Sequence, residues 1–271
     1  MANPEDLPFT SIRYLPTAEA YDRWAAVYDT DGNFLQALDT IELKTLFPQF
    51  LQSIISSKPW RMVDLGCGTG RNTKLLLTVP GIAEVVALDS SRGMLEVARS
   101  RLHQLDDGAS LSGQEPTGDV PKLYLEVFDM LISPSPPKLA LQADGVISTL
   151  VIEHVPLSTF FSQVSQILKP GGILLLTNMH AHMGGISQAG FVDAATGEKI
   201  RPTSYAHTVV DVAAEARRWG LEVVKGENGA EARIIERRVD DTMIEILGPR
   251  SRKWVGVTCW FGGLFRKGID S

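Results

Sequence analysis

The chain has 271 residues, 44% of them hydrophobic, and a formal net charge of −6. That length and apolar content suit one large α/β domain with a modest appendage. The acidic balance disfavours a nucleic-acid partner, two cysteines disfavour a disulfide framework, and no apolar run approaches membrane-spanning length.

Met1 to Thr10 carries acids and prolines rather than an apolar core, so it does not read as a signal peptide, and a cytoplasmic location is expected. Residues 1–16 are proline-rich and read as loosely ordered. Thr17 is placed to cap a following helix, on which Tyr21, Trp24 and Tyr28 fall at i, i+3 and i+7 and share one face. A second helix is expected from Phe34 to Ser56, interrupted near Pro48.

An apolar strand, Arg61 to Leu65, then runs into Gly66-Cys67-Gly68-Thr69-Gly70, with a helix starting near Asn72. Glycine at every second position lets a ligand lie against the loop backbone, and the helix start offers unpaired N–H groups. The spacing departs from the Gly-x-Gly-x-x-Gly of dinucleotide folds. Glu84 to Leu88 forms the next strand and ends on Asp89, well placed to accept from both hydroxyls of a ribose. A helix follows from Ser90 to about Leu105, then a polar, glycine-rich loop over residues 106–121.

Lys122 to Val127 reads as the third strand, followed by Phe128-Asp129-Met130. Asp144 to Ser148 is the fourth and continues into Thr149-Leu150-Val151-Ile152-Glu153-His154-Val155. In open α/β sheets ligands bind outside the carboxyl ends of the strands, which places Thr149 and Leu150 near the reactive centre. A helix (Pro156 to Leu168), a Lys169-Pro170-Gly171-Gly172 turn and a strand (Ile173 to Thr177) come next. Residues 178–207 read as an insertion holding three of the five histidines, and it starts at a strand's carboxyl end. Helix Thr208 to Trp219, strand Leu221 to Lys225 and a last strand around Val255 to Phe265 complete the sheet; the charged stretch between them carries no clear pattern.

Asp64-x-Gly-x-Gly-x-Gly with the strand-end Asp89 resembles the class I S-adenosylmethionine-dependent methyltransferases, and Glu153-His154-Val155 and Lys169-Pro-Gly-Gly resemble the same class. The resemblance implies a Rossmann-like α/β fold: a seven-stranded, mostly parallel sheet with helices on both faces and an N-terminal helical lid. Residues 1–58 would form the tail and lid, and 59–271 the methyltransferase domain. It implies S-adenosylmethionine as cofactor, bound by Asp64, Gly66, Cys67, Gly68, Gly70 and Asp89. Ser90 and Met94 would flank the adenine. Asp129, with Met130 beside it, would accept from the adenine amino group, and Thr149 would lie near the sulfonium. Tyr21 and Tyr28 belong to a Tyr-Asp…Tyr-Asp segment that in small-molecule members closes over the methionine end.

The expected activity is methyl transfer to a small-molecule acceptor, with oxygen the preferred atom, by positioning and by a histidine base. His180 or His207 is the expected base, with His154 third. The insertion's Tyr205-x-His207 resembles a segment of small-molecule members, whereas Ala181 stands where they carry proline. His180 and His182 would need a third ligand such as Asp193 or His207 to hold a metal, and no spacing compels one. Two other readings remain: a chain that binds S-adenosylmethionine without transferring methyl, and an RNA or protein methyltransferase. Neither membrane nor nucleic acid is expected as a partner, and oligomeric state is open.

Overall fold

The computed structural model describes residues 11–111, 121–224 and 234–269. Its elements in chain order are β1 (Ile12–Tyr14), α1 (Thr17–Trp24), α2 (Phe34–Gln52), β2 (Trp60–Leu65), α3 (Arg71–Leu77), β3 (Ile82–Asp89), α4 (Arg92–Leu111) and β4 (Lys122–Val127). Then follow β5 (Ala143–Thr149), α5 (Leu157–Ile167), β6 (Leu168–Met179), α6 (Ala181–Ile186), β7 (Phe191–Val192), β8 (Lys199–Arg201), α7 (Val209–Arg218), β9 (Leu221–Val223), β10 (Ile235–Arg238), α8 (Ile244–Leu247) and β11 (Thr258–Lys267).

The main sheet has eight strands in the order β10-β11-β6-β5-β2-β3-β4, with β9 also paired to β11. β6, β5, β2, β3 and β4 run parallel, and β11 is antiparallel to β6, β9 and β10. The seven expected strands are present; the eighth, β10, arises in the stretch that carried no clear pattern. Alternate strand residues feed two cores. Met62, Val85, Ile147 and Leu175 face Leu38, Phe50 and Leu76. Val63, Val86, Val146 and Leu174 face Phe160, Phe161, Val164 and Val212. The central strands are apolar on both sides because helices cover both sides.

Several boundaries differ from expectation. Pro48 lies inside α2 and does not interrupt it. Phe47 and Phe50, on either side of it, are buried, and this packing outweighs the lost N–H donor. Thr17 is the first residue of α1 and gives no side-chain cap; Pro16 holds the cap position. α4 continues through Leu111, past the expected stop, and residues 112–120 of the expected loop, like Lys225, lie outside the described residues. Residues 12–14 are not loose: β1 pairs in parallel with β8, and β7 completes a second, three-stranded sheet. The two N-terminal helices are placed differently. α2 is part of the main core, whereas α1 lies against α4 and the small sheet, with Trp24 stacked on Phe191 at 5.1 Å. Among the described residues no helix is long and apolar enough to cross a membrane.

Candidate active site

The cleft forms where β2, β3 and β5 end. The chain leaves β2 through Gly66 and Gly68, both at positive φ (77° and 53°). An added Cβ at Gly66 would come within 2.3 Å of Val151, so that glycine permits close packing under the loop. An added Cβ at Gly68 would meet nothing within 4 Å, so that glycine faces open space, as a ligand seat requires. Gly70 starts α3 against Ala98 of α4 and serves packing.

Asp89 stands across from Gly68. Its Oδ2 accepts from the Gly68 N–H (2.8 Å) and its Oδ1 from the Ser91 N–H (2.8 Å). Burial pushes its pKa up to about 6, and those two N–H bonds hold it from rising further. Asp64 is fully buried below the loop, where the Thr73 hydroxyl donates to its Oδ2 at 2.6 Å. Burial raises it to about 7 against that bond. Asp64 thus ties α3 to β2 from beneath. Cys67 points into a small core with Ala87 and Leu95, and burial holds its thiol well above the usual range.

One pocket, of about 690 Å³ including its mouth, is lined by Gly66, Gly68, Asp89, Ser90, Met94, Phe128, Asp129, Met130, Thr149, Tyr21, Tyr28 and His154. Ten of the cofactor residues expected from sequence therefore meet here, and Asp64, Cys67 and Gly70 support the pocket from outside it. Asp129 also turns its own loop, its Oδ1 accepting from the Leu131 N–H at 2.8 Å. Thr149 is held by the Asn72 amide (2.8 Å). Leu150, a non-glycine residue at φ 57°, carries the chain sharply away from the end of β5. The fit to an adenosyl ligand is concrete: an open glycine seat, a carboxylate opposite it, and in the wall a buried hydroxyl, Thr17 Oγ1, with no partner among the described residues.

A second chamber, of about 710 Å³ including its mouth, lies on the far side of Tyr21, Tyr28 and Leu150, which line both. Its walls are aromatic and apolar, with Trp24, Phe34, Met179, Met183 and Trp254. Its polar lining includes Glu153, Asp31, Arg250 and Lys253. Sequence reasoning passed over Glu153, Phe34 and the 250–254 segment as site residues, because no motif marks a pocket assembled from distant stretches.

The three histidines separate. His154 is buried and fixed: its Nδ1 lies 2.6 Å from the Thr203 carbonyl, which can only accept, so Nδ1 carries the proton. Its Nε2 lone pair then accepts from the Tyr21 hydroxyl at 2.8 Å. Burial lowers His154 to about 4, and the Thr203 bond opposes this, so it is neutral near pH 7. His180 and His207 line neither pocket. His180 caps α6: its Nδ1 accepts from the His182 N–H (3.0 Å), so its Nε2 donates to Glu236 (2.7 Å). His207 donates from Nε2 to the Val155 carbonyl (3.0 Å) and stacks on Tyr205. Among the described residues no group of three or more His, Cys, Asp or Glu is placed to hold a metal ion.

A family model for a methyltransferase domain matches residues 63–176, the span from the glycine loop to the end of the parallel strands. The chain is also 51% identical over 269 residues to an uncharacterised methyltransferase of Emericella nidulans, covering 93% of this chain and 91% of that one. The chain belongs to the class I S-adenosylmethionine-dependent methyltransferases. A trans-aconitate 2-methyltransferase of Methylobacterium radiotolerans is 27% identical over 188 residues, covering 63% of this methyltransferase and 64% of that one. The crystal structure of a [4+2]-cyclase shares the fold at TM-score 0.59 and 14% identity, covering 96% of this chain and all of that one.

Proposed function

We propose that this methyltransferase holds S-adenosylmethionine in the pocket of Gly68 and Asp89 and methylates an oxygen of a small molecule seated in the second chamber. The carrying observation is the shared neck: Tyr21, Tyr28 and Leu150 line both spaces, so a methyl group passing between them crosses one layer of side chains. The bound cofactor supplies an electrophilic methyl on a sulfonium. The chain's own work is positioning, which alone is worth several kcal/mol of barrier. Asp89 anchors the ribose, Asp129 the adenine edge and Thr149 the region beside the neck. A concave chamber walled by Trp24, Phe34, Met179, Met183 and Trp254 with a few polar groups supports a metabolite rather than a nucleic acid or protein as acceptor.

α1 is the lid of this reading. It carries Tyr21 over the neck, and its Asp22 accepts from the Ser91 hydroxyl (2.7 Å) and the Gly93 N–H (2.9 Å) at the start of α4. A cytoplasmic enzyme of small-molecule metabolism fits these features. The test is calorimetric titration of the purified chain with S-adenosylmethionine and its demethylated product, followed by Leu150→Phe to plug the neck. Cofactor affinity within a few-fold of wild type with turnover lost supports the reading. Turnover that survives the plug refutes it, and an acceptor consumed without S-adenosylhomocysteine points to the non-methylating alternative.

A further inference from the structure

We propose that Glu153 is the catalytic base, its Oε2 receiving the proton of a weakly acidic hydroxyl, phenolic or enolic, on an acceptor seated in the second chamber. The inference rests on that chamber being the acceptor site and names the acceptor class and the group that activates it.

The first observation is an unmet hydrogen bond. Glu153 is 3% exposed, lines the chamber, and its Oε2 has no hydrogen-bond partner among the described residues. A buried carboxyl oxygen without a donor is costly, and such groups persist where a ligand completes them. The second observation is elimination among the titratable groups of the chamber. Burial holds the Tyr21 and Tyr28 phenols well above their ordinary range, so neither phenolate is populated near neutrality. Arg250 and Lys253 are cations and cannot take a proton. Asp31 already accepts from the Trp24 indole (2.8 Å) and the Asn33 N–H (3.0 Å). The Nε2 of His154 is occupied by Tyr21, and His180 and His207 lie elsewhere.

Glu153 is also tuned for the work. Burial, with the Asp39 charge adding to it, pushes its pKa up to about 7, while bonding from its own backbone and Asn178 holds it down. A base poised near the working pH has both the right protonation state and useful driving force. The groups facing it are Asp39 from α2, Tyr21 and Tyr28 from the N-terminal segment, and His154, whose Nε2 lies 3.9 Å from Glu153 Oε1. Near pH 7 burial keeps the Tyr21 and Tyr28 phenols protonated and His154 neutral.

The step balances. The acceptor O–H bond breaks and its proton goes to Glu153 Oε2. The freed oxygen pair forms the bond to the methyl carbon, and the C–S pair returns to sulfur. The charges of the carboxylate and the sulfonium cancel. A carboxylate acceptor, by contrast, is already ionised, needs no base, and is repelled by ionised Glu153.

The experiment uses 7-hydroxycoumarin and 4-nitrophenol as phenolic probes and trans-aconitate and benzoate as carboxylate probes, with S-adenosylhomocysteine release as the readout. Expected is methylation of a phenol with kcat/KM rising about tenfold per pH unit up to about pH 7 and falling again where the free phenol itself ionises. Glu153→Gln should lower kcat by about 10²- to 10⁴-fold and flatten that rise. Its KM, its S-adenosylhomocysteine affinity and the fluorescence-measured affinity of 7-hydroxycoumarin for the S-adenosylhomocysteine-loaded protein should stay within a few-fold. Glu153→Asp should recover part of the rate and keep a pH-dependent limb, which a purely structural role would not require. Turnover of the carboxylates alone, turnover of none of the four by a chain that binds the cofactor, or a Glu153→Gln variant with the wild-type rate and pH profile overturns the assignment. Loss of cofactor binding in the wild-type chain instead sinks the underlying site and is read separately by calorimetry.

Discussion

Tyr21→Phe removes one oxygen from the proposed lid, and the structure sets the size of its effect. The Tyr21 hydroxyl is the donor to His154 Nε2, and His154 is 4% exposed with its other nitrogen committed to Thr203. Deleting the donor leaves a buried acceptor unmet at a cost of about 1–3 kcal/mol. The rest of α1 stays docked through the Trp24–Phe191 stack and the Asp22 bonds to α4, so the loss should appear as local opening rather than global unfolding. In hydrogen exchange, amides of Thr17–Trp24 should open about 5- to 150-fold more often, since 1.4 kcal/mol is a factor of ten. Amides of the central strands should be unchanged. His154→Phe in the same background should add a further loss, because it also removes the Nδ1–H bond to the Thr203 carbonyl. Exchange across α1 identical to wild type would show that Tyr21–His154 does not hold the lid. A fall in protection spread evenly over the sheet would show that the bond belongs to the global fold.

Asp89→Ala should weaken S-adenosylmethionine binding by about 1–3 kcal/mol, because charged hydrogen bonds to the ribose are lost; unchanged affinity by calorimetry removes Asp89 from the site. Gly66→Ala and Gly68→Ala should part company. The first drives a Cβ to 2.3 Å from Val151 on top of the strain at φ 77°, whereas the second meets open space and carries only the strain at φ 53°; the first should lower the melting temperature more and the second cofactor affinity more, and equal melting losses would refute this division. The pH dependence of apo stability should be inverted for its carboxylates. Asp64, Asp89 and Glu153 have folded pKa values raised to about 7, 6 and 7, so the folded state holds protons that the unfolded chain has released. Their contribution is present at about pH 4 and is lost as pH rises to about 7. His154, lowered to about 4, acts oppositely, losing its contribution as pH falls below about 6.5. Glu153→Gln should therefore gain stability relative to wild type above pH 7, by on the order of 3 kcal/mol for a rise from 4.5 to about 7; no gain in denaturant titrations at pH 8 would show Glu153 ionising freely.

The parallel strands and the glycine loop were legible because their signals are local. Asp89 follows the apolar run Val85 to Leu88 directly, and Gly66 and Gly68 fall within one turn. The misplaced features share a different origin. β1 has three residues and β7 two, and each acquires its identity only by pairing with β8, which for Ile12 means Lys199. Pro48 signals a break that the buried flanks of α2 override. Histidine count drew attention to the insertion, yet His180 caps α6 and donates to Glu236, and His207 ties the insertion to the Val155 carbonyl. Glu153 looked like part of a family turn, and only burial distinguished it from an ordinary surface acid.

The small sheet has a mechanical consequence. Ile12 to Tyr14 is zipped in register to Lys199 to Arg201, and the Leu15 N–H continues the zip to the Arg201 carbonyl. Thr203, two residues beyond that zip, grips the imidazole that the tyrosine of α1 also touches. The leading tail and the late insertion are thus one clasp, fastened at two points. Opening either half breaks backbone bonds of the other, so amide exchange across Ile12 to Tyr14 and Lys199 to Arg201 should rise together rather than separately.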